Sequence, residues 1–191
     1  NITVAAVDDP LTDEAVVLNN NSGTLAISGL EILEVSNDII ITDDAGVDGT
    51  LRDLTLGLDV EATVNNADNL TQITGSTEAG FEEAILVGNN ATGINVSNLE
   101  ALTIDTATEI TDTTGSLDTL NIDEVAGVVT LNGATSLTSL NAGVATDGQE
   151  VIMTGNSAAF DVNDLEILTV DTTATITDNA QLDTVNLSAD G

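Results

Sequence analysis

Hydrophobic residues return along this chain in one spacing: a leucine, two further residues, an aliphatic residue, one residue and another aliphatic residue. In Leu102-Thr103-Ile104, for example, the aliphatic residues alternate with a polar one, which is the period of a half-buried β-strand. The clear copies are LEALTID from Leu99, LDTLNID from Leu117, LTSLNAG from Leu137, LEILTVD from Leu165 and LDTVNLS from Leu182. Weaker copies begin at Leu30, Leu51, Leu70 and Phe81. Each copy predicts one short strand.

A second strand-like segment follows most copies of the motif. These segments are Ile39 to Thr42, Glu109 to Thr111, Val128 to Leu131 and Thr175 to Thr177. Turn-forming dipeptides such as Asn132-Gly133 lie between the strand-like segments. Successive copies start about 17 to 21 residues apart, except near Leu70, where the period is broken, and after Leu137, where it lengthens. The longer interval predicts an insertion or an extra strand around Val151 to Thr154.

The repeat predicts an all-β fold, a parallel β-solenoid (β-helix) with coils of about 18 to 20 residues. One such unit cannot bury its own apolar side, but stacked copies bury a continuous one. We expect a single elongated domain over 1–191, with repeats over 30–191 and with 1–29 as an N-terminal cap or edge strands. A β-sandwich is the alternative, because short strands between turns also describe it. A leucine-rich-repeat horseshoe ranks lower, since its Asn and its helical segment are missing.

Charge narrows the range of partners. The chain has 33 acidic residues and one basic residue, Arg52, for a formal net charge of −32. Repulsion from phosphate excludes nucleic acid, and the absence of an apolar run of about 18 residues argues against direct membrane insertion. Salt bridges cannot neutralise so many carboxylates, so protonation, dissolved salt or bound divalent cations must do so, and of these we expect divalent cations.

Acidic side chains recur at two positions of the repeat and are candidate metal ligands. Calcium is the expected ion, because it takes about six to eight oxygen ligands. The sharpest candidate is the loop DDAGVDG, in which Asp43, Asp44 and Asp48 could converge on one ion; a solvated acidic turn is the competing interpretation. Asp105 and Asp123 follow the motif in adjacent copies, where two carboxylates about 4.8 Å apart in water repel by about 0.9 kcal/mol. A cation between them would remove that repulsion.

The polar residue between the two aliphatics is expected to point outward. It is Thr103, Asn121, Asn141, Thr169 and Asn186 in the five clear copies. Stacked Asn and Thr side chains can form hydrogen bonds with one another along the rod, so a structural ladder explains them without a ligand.

Catalysis is not expected. The chain contains no His, Cys, Lys or Tyr, which excludes Ser-His-Asp and Cys-His nucleophiles, Schiff-base lysines and histidine or cysteine zinc sites. Paired carboxylates could hydrolyse a sugar, but Phe81, Phe160 and Arg52 are the only aromatic and basic residues present to bind one.

The Leu-x-x-Leu-x-Ile-Asp copies, separated by spacers rich in Thr, Asn, Ala and Gly, resemble bacterial surface-layer and secreted β-strand-repeat proteins of the RTX-associated type. The resemblance covers roughly Leu30 to Gly191, and the glycine-rich calcium nonapeptide is absent. It implies an extracellular, calcium-stabilised, self-associating protein at a bacterial or archaeal cell surface. We therefore expect a subunit or segment of a surface layer or filament, with a spacer or ligand-binding module of a large adhesin as the alternative. The expected partners are further copies of the chain and a cell-surface polysaccharide.

Overall fold

The described structure is all β. A computed structural model describes residues 2–5, 13–43, 50–123, 125, 127–143, 149–157, 159–179 and 181–188. These residues form strands β1 to β20, and no helix occurs among them. The strands belong to two ten-stranded sheets, the first containing every odd-numbered strand and the second every even-numbered strand.

The strands of each sheet follow one another in sequence order. The first sheet comprises β1 (Ile2–Ala5), β3 (Gly23–Ser28), β5 (Ile39–Asp43), β7 (Glu61–Asn65), β9 (Glu83–Val87), β11 (Ala101–Ile104), β13 (Thr119–Ile122), β15 (Ser139–Ala142), β17 (Ala159–Asn163) and β19 (Thr175–Asp178). The second comprises β2 (Ala15–Leu18), β4 (Ile32–Val35), β6 (Asp53–Leu56), β8 (Gln72–Thr74), β10 (Gly93–Ser97), β12 (Glu109–Asp112), β14 (Val128–Asn132), β16 (Glu150–Thr154), β18 (Ile167–Val170) and β20 (Thr184–Leu187).

Every paired strand runs parallel to its neighbour from the previous or the next coil. Ile39 of β5, for example, pairs with Gly23 of β3 on one side and with Ala62 of β7 on the other. The chain therefore alternates between the two sheets and advances one strand in each per coil, forming a β-solenoid of about 9 turns with coils of about 19 residues. The predicted parallel β-solenoid is confirmed, and the β-sandwich alternative is wrong because its strands would pair antiparallel.

The core lies between the two sheets and runs along the solenoid. The motif leucines Leu30, Leu51, Leu70, Leu99, Leu117, Leu137 and Leu165 are all 0% exposed. Along the strands buried and outward residues alternate, so each coil adds a layer of Leu, Ile, Val and Ala to one cluster. The weak motif copy at Phe81 is different, because Phe81 is 53% exposed and its neighbour Glu82 is fully buried.

A longer repeat of seven strands explains why the spacing of the motif is irregular. The segments LEILEVSNDIIITD (30–43), LEALTIDTATEITD (99–112) and LEILTVDTTATITD (165–178) align without gaps. They begin just before β4, β11 and β18, each seven strands after the last. Seven strands are three and a half coils, so equivalent residues lie alternately on the second, the first and the second sheet. The predicted break near Leu70 and the longer interval after Leu137 mark these half-coil shifts, and the expected extra strand at Val151 to Thr154 is part of β16.

Candidate functional site

Asp43 is the part of the predicted calcium loop that the structure describes. It ends β5 and is 3% exposed, and its Oδ2 accepts a hydrogen bond of 2.8 Å from the backbone N–H of Leu51. Burial raises the pKa of Asp43, and the backbone N–H of Leu51 acts in the opposite direction. Asp44 and Asp48 lie outside the described residues. Calcium binding by this loop therefore stays a prediction. In the structure Asp43 accepts a hydrogen bond from the main chain at Leu51, on the far side of the loop.

Asp112 repeats this arrangement seven strands later, at the end of β12. Its Oδ1 accepts hydrogen bonds from the backbone N–H groups of Thr114 at 3.2 Å and Gly115 at 2.9 Å. Its Oδ2 accepts one from Leu117 at 2.9 Å. The aspartate of the Ile-Thr-Asp segment thus closes the turn to the next buried leucine, which is a structural role.

Asp105 and Asp123 lie in adjacent coils, as predicted, since the residues that precede them, Ile104 and Ile122, are paired in register. Both oxygens of Asp105 lie near the backbone N–H of Gly88, at 3.0 and 2.8 Å. Asp123 is exposed. In the part of the chain that the structure describes, no group of three or more Asp or Glu side chains is arranged to hold a metal ion. Metal binding at Asp105 and Asp123 stays a prediction.

A polar ladder crosses the outer face of the first sheet. Asn121 Nδ2 donates to Thr103 Oγ1 at 3.1 Å, and Asn141 Nδ2 donates to Asn121 Oδ1 at 2.8 Å. Asn163 continues the ladder by donating to Asn141, and Asn179 Nδ2 donates to Asn163 Oδ1 at 2.9 Å. The predicted stacking of Thr103, Asn121 and Asn141 is confirmed.

The predicted continuation of this ladder through Thr169 and Asn186 is wrong. These two residues lie on β18 and β20 of the second sheet, where Asn186 Nδ2 donates to Thr169 Oγ1 at 3.4 Å. The half-coil shift of the seven-strand repeat moves them to the opposite face. Sequence spacing alone missed Asn163 and Asn179, because neither follows a leucine-headed motif.

A set of residues at the strand starts, most of them acidic, was also missed. Nine residues, each directly before a strand, form three columns. Within a column, each member lies in the coil next to that of the member before it, and main-chain hydrogen bonds join the two coils there. The first column is Glu14, Glu31 and Arg52, the second is Glu82, Glu100 and Asp118, and the third is Gln149, Glu166 and Asp183. The columns begin seven strands apart, before β2, β9 and β16. The recurring Leu-Glu dipeptides at Glu31, Glu100 and Glu166 were the signal in the sequence.

Glu82 is the most enclosed carboxyl of these columns, with 0% of its surface exposed. Its Oε1 accepts a hydrogen bond of 3.0 Å from the backbone N–H of Asp59 in the preceding coil. Its own backbone N–H donates to Glu100 Oε2 at 3.0 Å in the next coil. No described residue donates a hydrogen bond to Glu82 Oε2. Burial, and then the Glu100 carboxyl, raise the pKa of Glu82.

Comparison with protein-family models, with curated proteins and with solved structures finds no match to this chain. The resemblance to surface-layer and secreted β-strand-repeat proteins therefore stays a prediction. Among the described residues there is no helix with the length and apolar character needed to cross a membrane.

Proposed function

We propose that this chain is an extracellular structural protein, a self-assembling subunit or segment of a surface layer or filament at a bacterial or archaeal cell surface, stabilised by divalent cations and without enzymatic activity. The observation that carries the proposal is a regular solenoid with 33 acidic residues and a single basic residue. Arg52 pairs with Asp13 at 3.0 Å and with Asp53 at 3.6 Å. The remaining carboxylates need another source of positive charge before two such rods can approach.

The outer faces of the solenoid support lateral contact between copies. Ile40 and Val87 on the first sheet are 46% and 40% exposed, and Val128 on the second sheet is 43% exposed. The ladder of Thr103 and asparagines lies on the same face as Ile40 and Val87. Flat faces that combine exposed aliphatics with hydrogen-bonding side chains suit contact with another copy once the surrounding charge is neutralised.

Electron microscopy of the purified chain tests assembly. We expect ordered sheets or fibres in calcium and their dispersal by a chelator. The double variant Ile40→Ser and Val87→Ser should assemble less, whereas Thr63→Ser, at an outward position between them, should assemble like the parent chain. Persistent monomers under all conditions would contradict self-assembly.

A spacer or ligand-binding module of a large adhesin is the second candidate function. The observation that favours it is the single hydrophobic cluster that runs from Leu25 to Val170. A rod with an unbroken core can hold a binding module away from a surface without assembling laterally. Monomeric rods that keep their length with and without calcium would favour this function over the surface layer.

Thermal melting tests the contribution of cations separately. We expect calcium to raise the melting temperature at constant ionic strength, and a chelator to reverse the rise. Asp123→Asn should weaken this response, because Asp123 is a predicted ligand, and Asp161→Asn, at an exposed position of β17, serves as a control with the same change of charge. A melting temperature that calcium and chelator leave unchanged at low salt would remove the cation from the proposal.

A further inference from the structure

The three columns of residues at the strand starts occupy equivalent places in the seven-strand repeat but differ in how their charge is balanced. The backbone oxygen of Glu14 accepts a hydrogen bond from the N–H of Ile32, that of Glu82 from Ala101, and that of Gln149 from Ile167, at 3.0, 3.1 and 3.2 Å. The three side chains therefore start from the same backbone position of the coil. Any difference between the columns comes from their side chains.

Two of the columns contain a residue that lowers their negative charge. The first column has Arg52 as its third member, next to Glu31 in the stack. The third column begins with Gln149, which is 1% exposed and uncharged. The second column consists of Glu82, Glu100 and Asp118 and contains neither a cation nor an amide. It is the one column composed entirely of acidic residues, and its first member is fully buried.

The groups that face Glu82 give it no positive partner. Glu100 lies against it from the next coil, and Asp59 lies against it from the preceding coil. Glu83, the next residue on β9, is paired in register with Glu61. Arg52, the single basic residue of the chain, forms its ion pairs elsewhere. An ionised Glu82 would be a buried charge between other carboxylates, which is strongly unfavourable.

We propose that Glu82 and Glu100 form a proton-binding site, in which one proton taken from solvent is held between the two carboxyl groups and keeps Glu82 neutral in the folded chain. Glu82 Oε2 accepts no hydrogen bond from any described residue. Once protonated, this oxygen would donate a hydrogen bond to the carboxyl of Glu100. Gln149, at the equivalent position of the third column, shows that a neutral side chain with the shape of a protonated glutamate fits there, although its Nε2 donates to no described residue. The inference does not depend on the proposed function.

The sign of the pH dependence follows from the direction of the pKa change. A raised pKa means that the folded chain binds a proton that the unfolded chain has already released. The contribution of this site to stability is therefore fully present below the pKa of glutamate in the unfolded chain. It is lost as the pH rises through the higher pKa of the folded chain.

The test compares Glu82→Gln with Glu78→Gln, which removes the same charge from an exposed position just before the same strand. Thermal melting is followed by circular dichroism from about pH 4.5 to 7.5, a range that starts near the unperturbed pKa of glutamate. A chelator is present throughout. We expect the melting temperature of the parent chain and of Glu78→Gln to fall as the pH rises. Glu82→Gln should melt higher than the parent at neutral pH and show a weaker pH dependence.

Two further measurements keep the test decisive if Glu82→Gln does not fold. Glu100→Gln places the neutral donor on the other side of the pair and should weaken the pH dependence in the same way. Carbon NMR of the parent chain should show the carboxyl of Glu82 titrating above the usual pH range of a glutamate. Titration of Glu82 within that usual range, or parallel melting profiles for the two variants, would overturn the proposal. So would a calcium-induced rise in melting temperature that Glu82→Gln abolishes, because the site would then hold a cation.

Discussion

Asn141 is the central rung of the polar ladder, and its removal gives a measurable loss of stability. Its Nδ2 donates to Asn121, and its Oδ1 accepts from Asn163 and from Ser139 Oγ. Asn141→Ala removes these three hydrogen bonds. At about 0.5 to 1.5 kcal/mol for each hydrogen bond, the free energy of unfolding should fall by about 1.5 to 4.5 kcal/mol.

Urea unfolding, followed by circular dichroism at fixed pH and salt, measures this loss. The matched control is Asn95→Ala, which removes an exposed, outward-facing asparagine from β10. A surface substitution of this kind should change the free energy of unfolding by less than about 0.5 kcal/mol. If Asn141→Ala loses no more than Asn95→Ala, the ladder does not stabilise the solenoid.

Asn141→Asp tests the direction of the ladder. An ionised aspartate accepts from Asn163 but cannot donate to Asn121, so at neutral pH the variant should be at least as unstable as Asn141→Ala. Only the protonated carboxyl can donate to Asn121, so the pKa of this carboxyl should be raised in the folded chain. Part of the lost stability should therefore return as the pH falls. A variant as stable as the parent chain at neutral pH would contradict the hydrogen-bond direction.

Three further substitutions test the core, a tight turn and a buried carboxylate by the same urea method. Leu120→Ala, at a fully buried site, should lose about 2 to 5 kcal/mol. Val185→Ala, at a site 48% exposed, should lose less than about 0.5 kcal/mol, and equal losses would contradict the continuous core. Gly133→Ala should lose more than about 1 kcal/mol, since Gly133 has a φ of 77° and a Cβ there would lie 2.6 Å from the backbone oxygen of Asp112. Gly93→Ala is its control, with no neighbouring atom closer than 3.9 Å, and a similar loss at both glycines would refute the steric argument. Asp112→Ala should lose at least about 2 kcal/mol because three backbone N–H groups lose their acceptor, and an unchanged stability would show that the turn closes without it.

The fold could be predicted because one motif places its hydrophobic residues in the same layer of every coil. Leu99, Leu117 and Leu137 are each followed by the same alternation, and all three are fully buried. Which of the two sheets a given strand joins could not be predicted in the same way. A leucine-headed strand looks alike on either sheet, so the motif at Leu165 gave no indication that it had moved to the opposite face. Only the pairing of β18 with β16 shows that move.

The candidate site was less predictable, because a carboxylate that binds backbone N–H groups has the same sequence signature as one that binds a metal. Asp105 follows a strand in an acidic row, yet both of its oxygens approach Gly88 in the preceding coil. Which N–H group lies within reach depends on the length of the coil before it. Glu82 was missed for a related reason, since its neighbour Phe81 is the more hydrophobic residue but points outward.

The odd number of strands in the long repeat affects how the rod could meet its neighbours. A duplicated unit with an even number of strands would place every copy of a surface feature on the same side, and the rod would bind partners in a single row. A unit of seven strands places successive copies on opposite sides instead. If copies of the chain associate as proposed, two successive units would present the same surface feature on both outer faces, so that one molecule could contact neighbours on both sides.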